Sequence, residues 1–181
     1  MNEEVGAGLA PAHIRADARA GAGPAPTLIL GLGNPWRGDD GLGPAVIRWL
    51  QARGLPPGVV AVDGGTPGLE LVLTLAGDPR GRPYRRALIV DAADLGRAPG
   101  EWVRFTPGQV RLKEGEAHLS LHAAGLAEAL ALGEALGTLP KEVVIFGVQP
   151  AGVDWSPALS AAARAAVPIV GQAVLQELEA V

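Results

Sequence analysis

Four aspartates and a pair of histidines carry the chemistry this chain could do. Asp39 and Asp40 follow an apolar run and a glycine turn in LILGLGNPWRGDDGLG, residues 28–43. Asp63 ends GVVAVD and opens D-G-G-T, and Asp91 ends ALIVD. His118 and His122 stand four apart in HLSLH. Carboxylates and imidazole together suit proton transfer, or the binding of a borderline divalent ion such as nickel, zinc, iron or manganese.

Other chemistries fit less well. The chain has no cysteine, which excludes a thiol nucleophile, a cysteine-built zinc site and a disulfide scaffold. Its three serines, Ser120, Ser156 and Ser160, lie outside any G-x-S-x-G elbow, and Ser120 reads as a helix cap. GLGNPWRG holds the first two glycines of a dinucleotide fingerprint but Trp36 at the third position, and Asp39 and Asp40 would repel a phosphate. No Gly-Lys-Ser/Thr follows to make a P-loop. GLGNP resembles the opening of bacterial peptidyl-tRNA hydrolases, but that family's nearby catalytic histidine is missing here: none follows before His118. A net charge of −4 also disfavours a nucleic-acid partner.

The elements that must position these residues alternate between strand and helix. Strands are expected over 27–33, 58–63, 86–94, 100–107 and 142–150, the fourth at an edge of the sheet. Helices are expected over 41–53, 67–77, 120–136 and 156–180, the last containing Pro168, where a kink is expected. Leu42, Ala45, Val46, Trp49 and Leu50 fall on one face of the first helix. Residues 108–119 read as a polar connection. Short apolar strands alternating with helices imply a mostly parallel five-stranded sheet covered on both faces.

With 181 residues the chain suits one domain, expected over 27–181. Residues 1–26 are rich in Ala, Gly and Pro, lack the apolar core of a secretory signal, and read as a disordered tail. No apolar run is long enough to span a bilayer.

In open α/β sheets, ligands sit beyond the carboxyl ends of the strands. Asn34, Asp40, Asp63, Asp91 and Gln149 all follow strand ends, and His122 sits in a first helical turn, so one rim collects them. Each also has a structural alternative. One of Asp39 and Asp40 would cap the following helix and the other stay free; Asp63 would open an Asx-turn; Asp91 would do the same or orient a ligand from behind. If Ser120 caps its helix, His118 lies outside it and His122 is the better ligand. Asp40, Asp63 and His122 then make a two-carboxylate, one-imidazole set.

Five segments, LILGLGNPWRGDDGLGPAVI, VDGGTPGLELV, ALIVDAADLGRAPGEWVRF, LSLHAAGLAEAL and VVIFGVQP, together resemble the maturation endopeptidases of nickel–iron hydrogenases. The resemblance runs over roughly residues 27–178. It implies a three-layer α/β/α sandwich of the phosphorylase/hydrolase-like kind around a five-stranded sheet. It implies an endopeptidase that clips the C-terminal extension of the hydrogenase large-subunit precursor after nickel has been inserted. The nickel is expected to be carried by the substrate, with a divalent metal in the free enzyme left open. It is recognised by an acid in G-D-E/D-G, the Asp of D-G-G-T and a His early in a later helix. These positions are Asp40, Asp63 and His122 here. Many relatives carry Glu at the position of Asp40, so the oxygen is drawn back by one methylene in this chain.

The same resemblance implies a transient large-subunit partner and a monomer; the lack of a signal fits cytoplasmic work, and the acidic charge and the lack of a long apolar run lead to no nucleic-acid or membrane partner being expected. Asn34 is expected to fix the loop that presents Asp40. Gly64, Gly65 and Thr66 are expected to meet extended substrate backbone, and Trp36 to contact the partner subunit. Asp39 and Asp91 are expected behind the ligands. A non-proteolytic nickel-binding or chaperone module is the alternative, with an esterase like the peptidyl-tRNA hydrolases a remote third.

Overall fold

A computed structural model describes residues 25–111 and 121–180. Five strands form one sheet: β1 Thr27–Leu32, β2 Val59–Gly65, β3 Arg86–Ala92, β4 Trp102–Phe105 and β5 Glu142–Val148. Their spatial order is β2-β1-β3-β5-β4. The first four in that order run parallel, and β4 alone is antiparallel, pairing Trp102 with Val148 at the edge. The helices are α1 Leu42–Arg53, α2 Leu69–Ala76, α3 Pro107–Arg111, α4 Leu121–Ala135 and α5 Ala161–Glu179.

The parallel strands explain the layers. β1 and β3 are buried along their whole length, because helices cover both of their faces. On one face Leu28, Leu30, Leu32, Ala87, Ile89 and Ile145 pack with Leu71, Val72 and Leu75 of α2 and Leu126 and Leu130 of α4. On the other, Ile29, Leu88, Val90, Val144 and Phe146 pack with Val46, Ile47 and Leu50 of α1 and Ala163, Ala166, Val170 and Val174 of α5. Alternation along each strand therefore assigns successive residues to opposite layers.

Several sequence expectations shift. The buried face of α1 is Leu42, Val46, Ile47 and Leu50, while Ala45 and Trp49 are only partly buried. The helix contacts α5 as well as the sheet, which rotates its apolar stripe toward Ile47. Trp49 lies over Gly171 of α5, whose hydrogen leaves room for the ring: a Cβ there would be 2.5 Å from Trp49 Cε3. The closing helix starts at Ala161 rather than 156, because the Ser160 hydroxyl caps it by accepting from the Ala163 N–H at 3.1 Å. It runs through Pro168 as one helix. The connection after β4 opens with the short helix α3. His118, the Ser120 cap and the tail up to residue 24 lie outside the described residues.

Candidate active site at the carboxyl rim of the sheet

The turn after β1 is built around Gly33. Its φ is +122°, and a Cβ there would lie 1.8 Å from the Asp40 carbonyl oxygen, so only glycine lets the G-D-D-G turn fold back over the strand end. The Gly33 N–H donates to the Gly65 carbonyl at 2.8 Å. That bond ties the Asp40 loop directly to the D-G-G-T turn. Between them the β1–β2 register slips: Gly31 faces Asp63 and Leu32 faces Gly65, leaving Gly64 as the extra residue of a bulge.

Each aspartate has a distinct environment. Asp40 is fully buried, and its Oδ2 accepts from the Asn34 N–H at 2.8 Å. Asn34 Oδ1 accepts in turn from the Trp36 N–H at 2.9 Å, so Asn34 does shape the loop that presents Asp40. Asp63 is exposed, and its Oδ1 accepts from the Gly65 N–H at 3.1 Å, closing the Asx-turn. Alternation places Asp63 in the layer of Val59 and Ala61, the side on which α1 and its preceding turn lie.

Neither Asp39 nor Asp40 caps α1, whose N-cap is Gly41 with no side-chain bond. This overturns the capping expectation. The turn Gly38–Gly41 comes first and directs both carboxylates elsewhere. Asp39 reaches the loop before α5. Its Oδ1 accepts from the Ser160 N–H at 2.6 Å, and its Oδ2 from the Ala151 N–H at 2.7 Å and the Ser160 hydroxyl at 2.8 Å. An isolated bridge pairs Arg37 with Ser156, and Arg37 Nε donates to the Val153 carbonyl at 3.1 Å. Two tryptophans flank that bridge, Trp36 at 59% exposure and Trp155 at 79%. Sequence reasoning left Trp155 unassigned, because its loop joins Trp36 only in space.

Asp91 is buried at the end of β3, and its Oδ1 has no hydrogen bond. Burial, and then the charge of Asp40, push its pKa up to about 7. Gln149 is spent on structure: its Oε1 accepts from the N–H groups of Leu95 and Arg97 at 2.7 and 3.2 Å. The glycines of D-G-G-T also have structural reasons. A Cβ on Gly64 would lie 2.7 Å from Leu30 Cδ1, and Gly65 has φ +59°. Thr66 is exposed.

His122 falls in the first turn of α4. That helix spans about 22 Å, close to the roughly 23 Å of β5, and joins it through residues 136–141, which returns its first turn to the carboxyl rim. One turn on, Gly125 lies against Pro67, the residue that follows D-G-G-T: a Cβ there would be 3.3 Å from Pro67 Cβ. The backbone thus brings His122 beside the turn that carries Asp63, while its side chain lies outside the described residues. Among the described residues, no three His, Cys, Asp or Glu side chains form a metal-holding group. Carboxylate oxygens and an imidazole nitrogen are donors of the type a borderline divalent cation takes, and of the two carboxylates, Asp40 is buried and Asp63 exposed, each accepting from one backbone N–H.

Comparison with known proteins identifies the family and the fold. The hydrogenase maturation protease family model matches residues 44–177. A hydrogenase expression/formation protein HupD of Thiocapsa roseopersicina is 36% identical over 128 residues, 70% of this chain and 55% of that protein. The HupD of Bradyrhizobium diazoefficiens is 33% identical over 139 residues, 76% of this chain and 69% of that protein. The match thus spans little more than half the length of the first of these relatives. Among solved structures, the hydrogenase maturating endopeptidase HybD from E. coli superposes with a TM-score of 0.71 at 28% identity, covering 85% of this chain and 92% of that one. No described helix is long and apolar enough to cross a membrane. The chain belongs to the hydrogenase maturation protease family.

Proposed function

We propose that this chain is an endopeptidase that removes the C-terminal extension of a nickel–iron hydrogenase large-subunit precursor once nickel has been inserted. The observation that carries this reading is the main-chain tie between the Asp40 loop and the Asp63 turn, with Gly125 of α4 against Pro67, just after that turn. Asp40, Asp63 and His122 grasp the nickel that the substrate carries, which seats the adjoining tail over the site. Without the ion the productive pose lacks its binding energy, so the nickel acts as a checkpoint.

Neither of the two described serines is poised as a nucleophile. The chain has no cysteine, the Ser160 hydroxyl is committed to Asp39 and the α5 cap, and the Ser156 hydroxyl accepts from the Ala158 N–H at 3.3 Å. Water therefore attacks the scissile carbonyl, and its proton passes to the departing amine. Asn34 holds Asp40 in place, Asp39 holds the opposite loop, and Trp36 meets the partner subunit. The chain works as a single domain over 27–181, as a monomer, in the cytoplasm.

The test mixes the purified chain with the tailed large subunit encoded in the same genome, with and without nickel, and reads the products by mass spectrometry. Loss of one discrete C-terminal peptide from the nickel-loaded subunit alone is expected. Cleavage of both forms would remove the nickel checkpoint. Binding without cleavage would shift the assignment to a non-proteolytic nickel chaperone.

A further inference from the structure

The sheet has two edges, and they are treated differently. At the β4 edge, Arg104 is held by Glu177 through two hydrogen bonds of 2.7 Å. The β2 edge, VVAVDGG, has no Lys, Arg or Pro and only one charge, that of Asp63. Natural sheets usually blunt an exposed edge with such residues, because its unpaired main chain is a template for another strand.

The register shows which groups are free. The Thr27 N–H donates to the Gly58 carbonyl at 2.9 Å, and Thr27 pairs with Val59. In a parallel ladder Val60 and Val62 then bond to β1, and the main chains of Val59, Ala61 and Asp63 face outward. One outward acceptor is already used: Gln51 Nε2 donates to the Ala61 carbonyl at 3.0 Å. The Val59 N–H is also used, donating to the Pro56 carbonyl, and among the described residues this leaves the Val59 carbonyl, the Ala61 N–H and both main-chain groups of Asp63 facing outward, beside an exposed carboxylate.

We propose that the free edge of β2 receives the substrate's C-terminal tail as an added strand that hydrogen-bonds the outward main-chain groups of Asp63. This rests on the endopeptidase reading above. A strand of either sense uses the N–H and carbonyl of each outward residue, so both groups of Asp63 and the Ala61 N–H are open to it, and the Ala61 carbonyl, held by Gln51, is the one it forgoes. The edge is continuous with the site, because its open pair belongs to Asp63 itself. Main-chain pairing also suits a tail read by position rather than by side chain. The second face of such a strand would run past Val60, 37% exposed on the α2 side.

The test uses the full chain, the nickel-loaded precursor and steady-state kinetics. Ala61→Pro deletes an outward donor at a position where an edge strand tolerates proline, and is expected to raise KM about fivefold with kcat within twofold. Gln51→Ala releases the Ala61 carbonyl for the tail, and is expected to lower KM about threefold, a change that a merely structural role would not produce. Gln51 is exposed, so this variant keeps the test open should Ala61→Pro fail to fold. KM within twofold of the wild type for both variants overturns the proposal. So does a dimer in solution that Ala61→Pro converts to monomer, which would assign the edge to a second copy. If the wild-type chain leaves the nickel-loaded precursor uncut, no KM exists and the endopeptidase reading falls first.

Discussion

The Asp39 carboxylate takes both the main-chain N–H and the hydroxyl of Ser160, at 2.6 and 2.8 Å, across 121 positions of sequence. This one buried charge holds the G-D-D-G turn against the start of α5, and so fixes the loop that leads to Asp40 on one side and the Trp155 loop on the other. Replacing Asp39 by Asn keeps the shape but forfeits charge-assisted acceptance from three donors. It should cost about 2–3 kcal/mol in urea unfolding and lower processing of the nickel-loaded precursor. Ser160→Ala loses the helix cap and one of those donors, and should cost about 1–2 kcal/mol.

Gly33→Ala should be more damaging than its size suggests. The added methyl meets the Asp40 carbonyl at 1.8 Å in a backbone conformation that L residues rarely adopt. A loss of about 3 kcal/mol or more is expected, together with loss of cleavage, because the turn that presents Asp40 must open. Thermal unfolding and the processing assay would read both.

The raised pKa of Asp91 makes stability depend on pH with a definite sign. Its folded-state value is about 7, against an ordinary value of 3.8, so folding takes up a proton within that window. Stability falls as pH rises from about 4 to about 7. Asp91→Asn should remove that slope and stabilise the chain by on the order of 2–4 kcal/mol at pH 8, since Asp91 Oδ1 has no hydrogen bond to lose. Urea unfolding of both proteins at pH 5 and pH 8 checks the sign.

Glu177 has the opposite linkage at the far edge of the sheet. Its hydrogen bond from Arg104, and then the Arg104 and Arg86 charges, hold its carboxyl below the ordinary value despite partial burial. The stability it contributes is present above the ordinary glutamate pKa and is lost as pH falls through the depressed one. Arg86 is almost completely buried against Glu177 and also bonds Glu142 at 2.8 Å. Glu177→Gln should therefore cost about 3 kcal/mol at neutral pH and flatten the acid limb of the stability profile. The site is at the opposite rim, so kcat should stay within twofold at a temperature where the variant is folded.

At the rim, Asp63→Asn should abolish cleavage while leaving the unfolding midpoint near that of the wild type, because Asp63 is exposed and Asn keeps the Asx-turn acceptor. His122→Ala should do the same. Trp36→Ala should raise KM and spare kcat, as expected of an aromatic anchor outside the chemistry.

Much of the architecture was legible from local pattern. Strands as apolar as TLILGL and RALIVDA, alternating with helix-forming segments, leave little choice but a parallel sheet covered on both faces, and that placement alone brings Asp40, Asp63 and the first turn of α4 to one rim. Local pattern failed where distant segments compete for the same group. One of Asp39 and Asp40 read as the cap of α1, but the close approach of Asp40 to Gly33 turns the loop first and sends Asp39 to Ser160. The segment 156–160 reads as helix, but its pairing with Arg37 holds it out of α5 until Ser160. The amino-acid order by itself determined the strand–helix alternation and which residue types reach the rim, because periodicity and glycine turns are local properties. Only the tertiary structure decided which aspartate is clamped, which is exposed and which holds its proton to pH 7, because burial and hydrogen-bond partners come from residues far away in the chain.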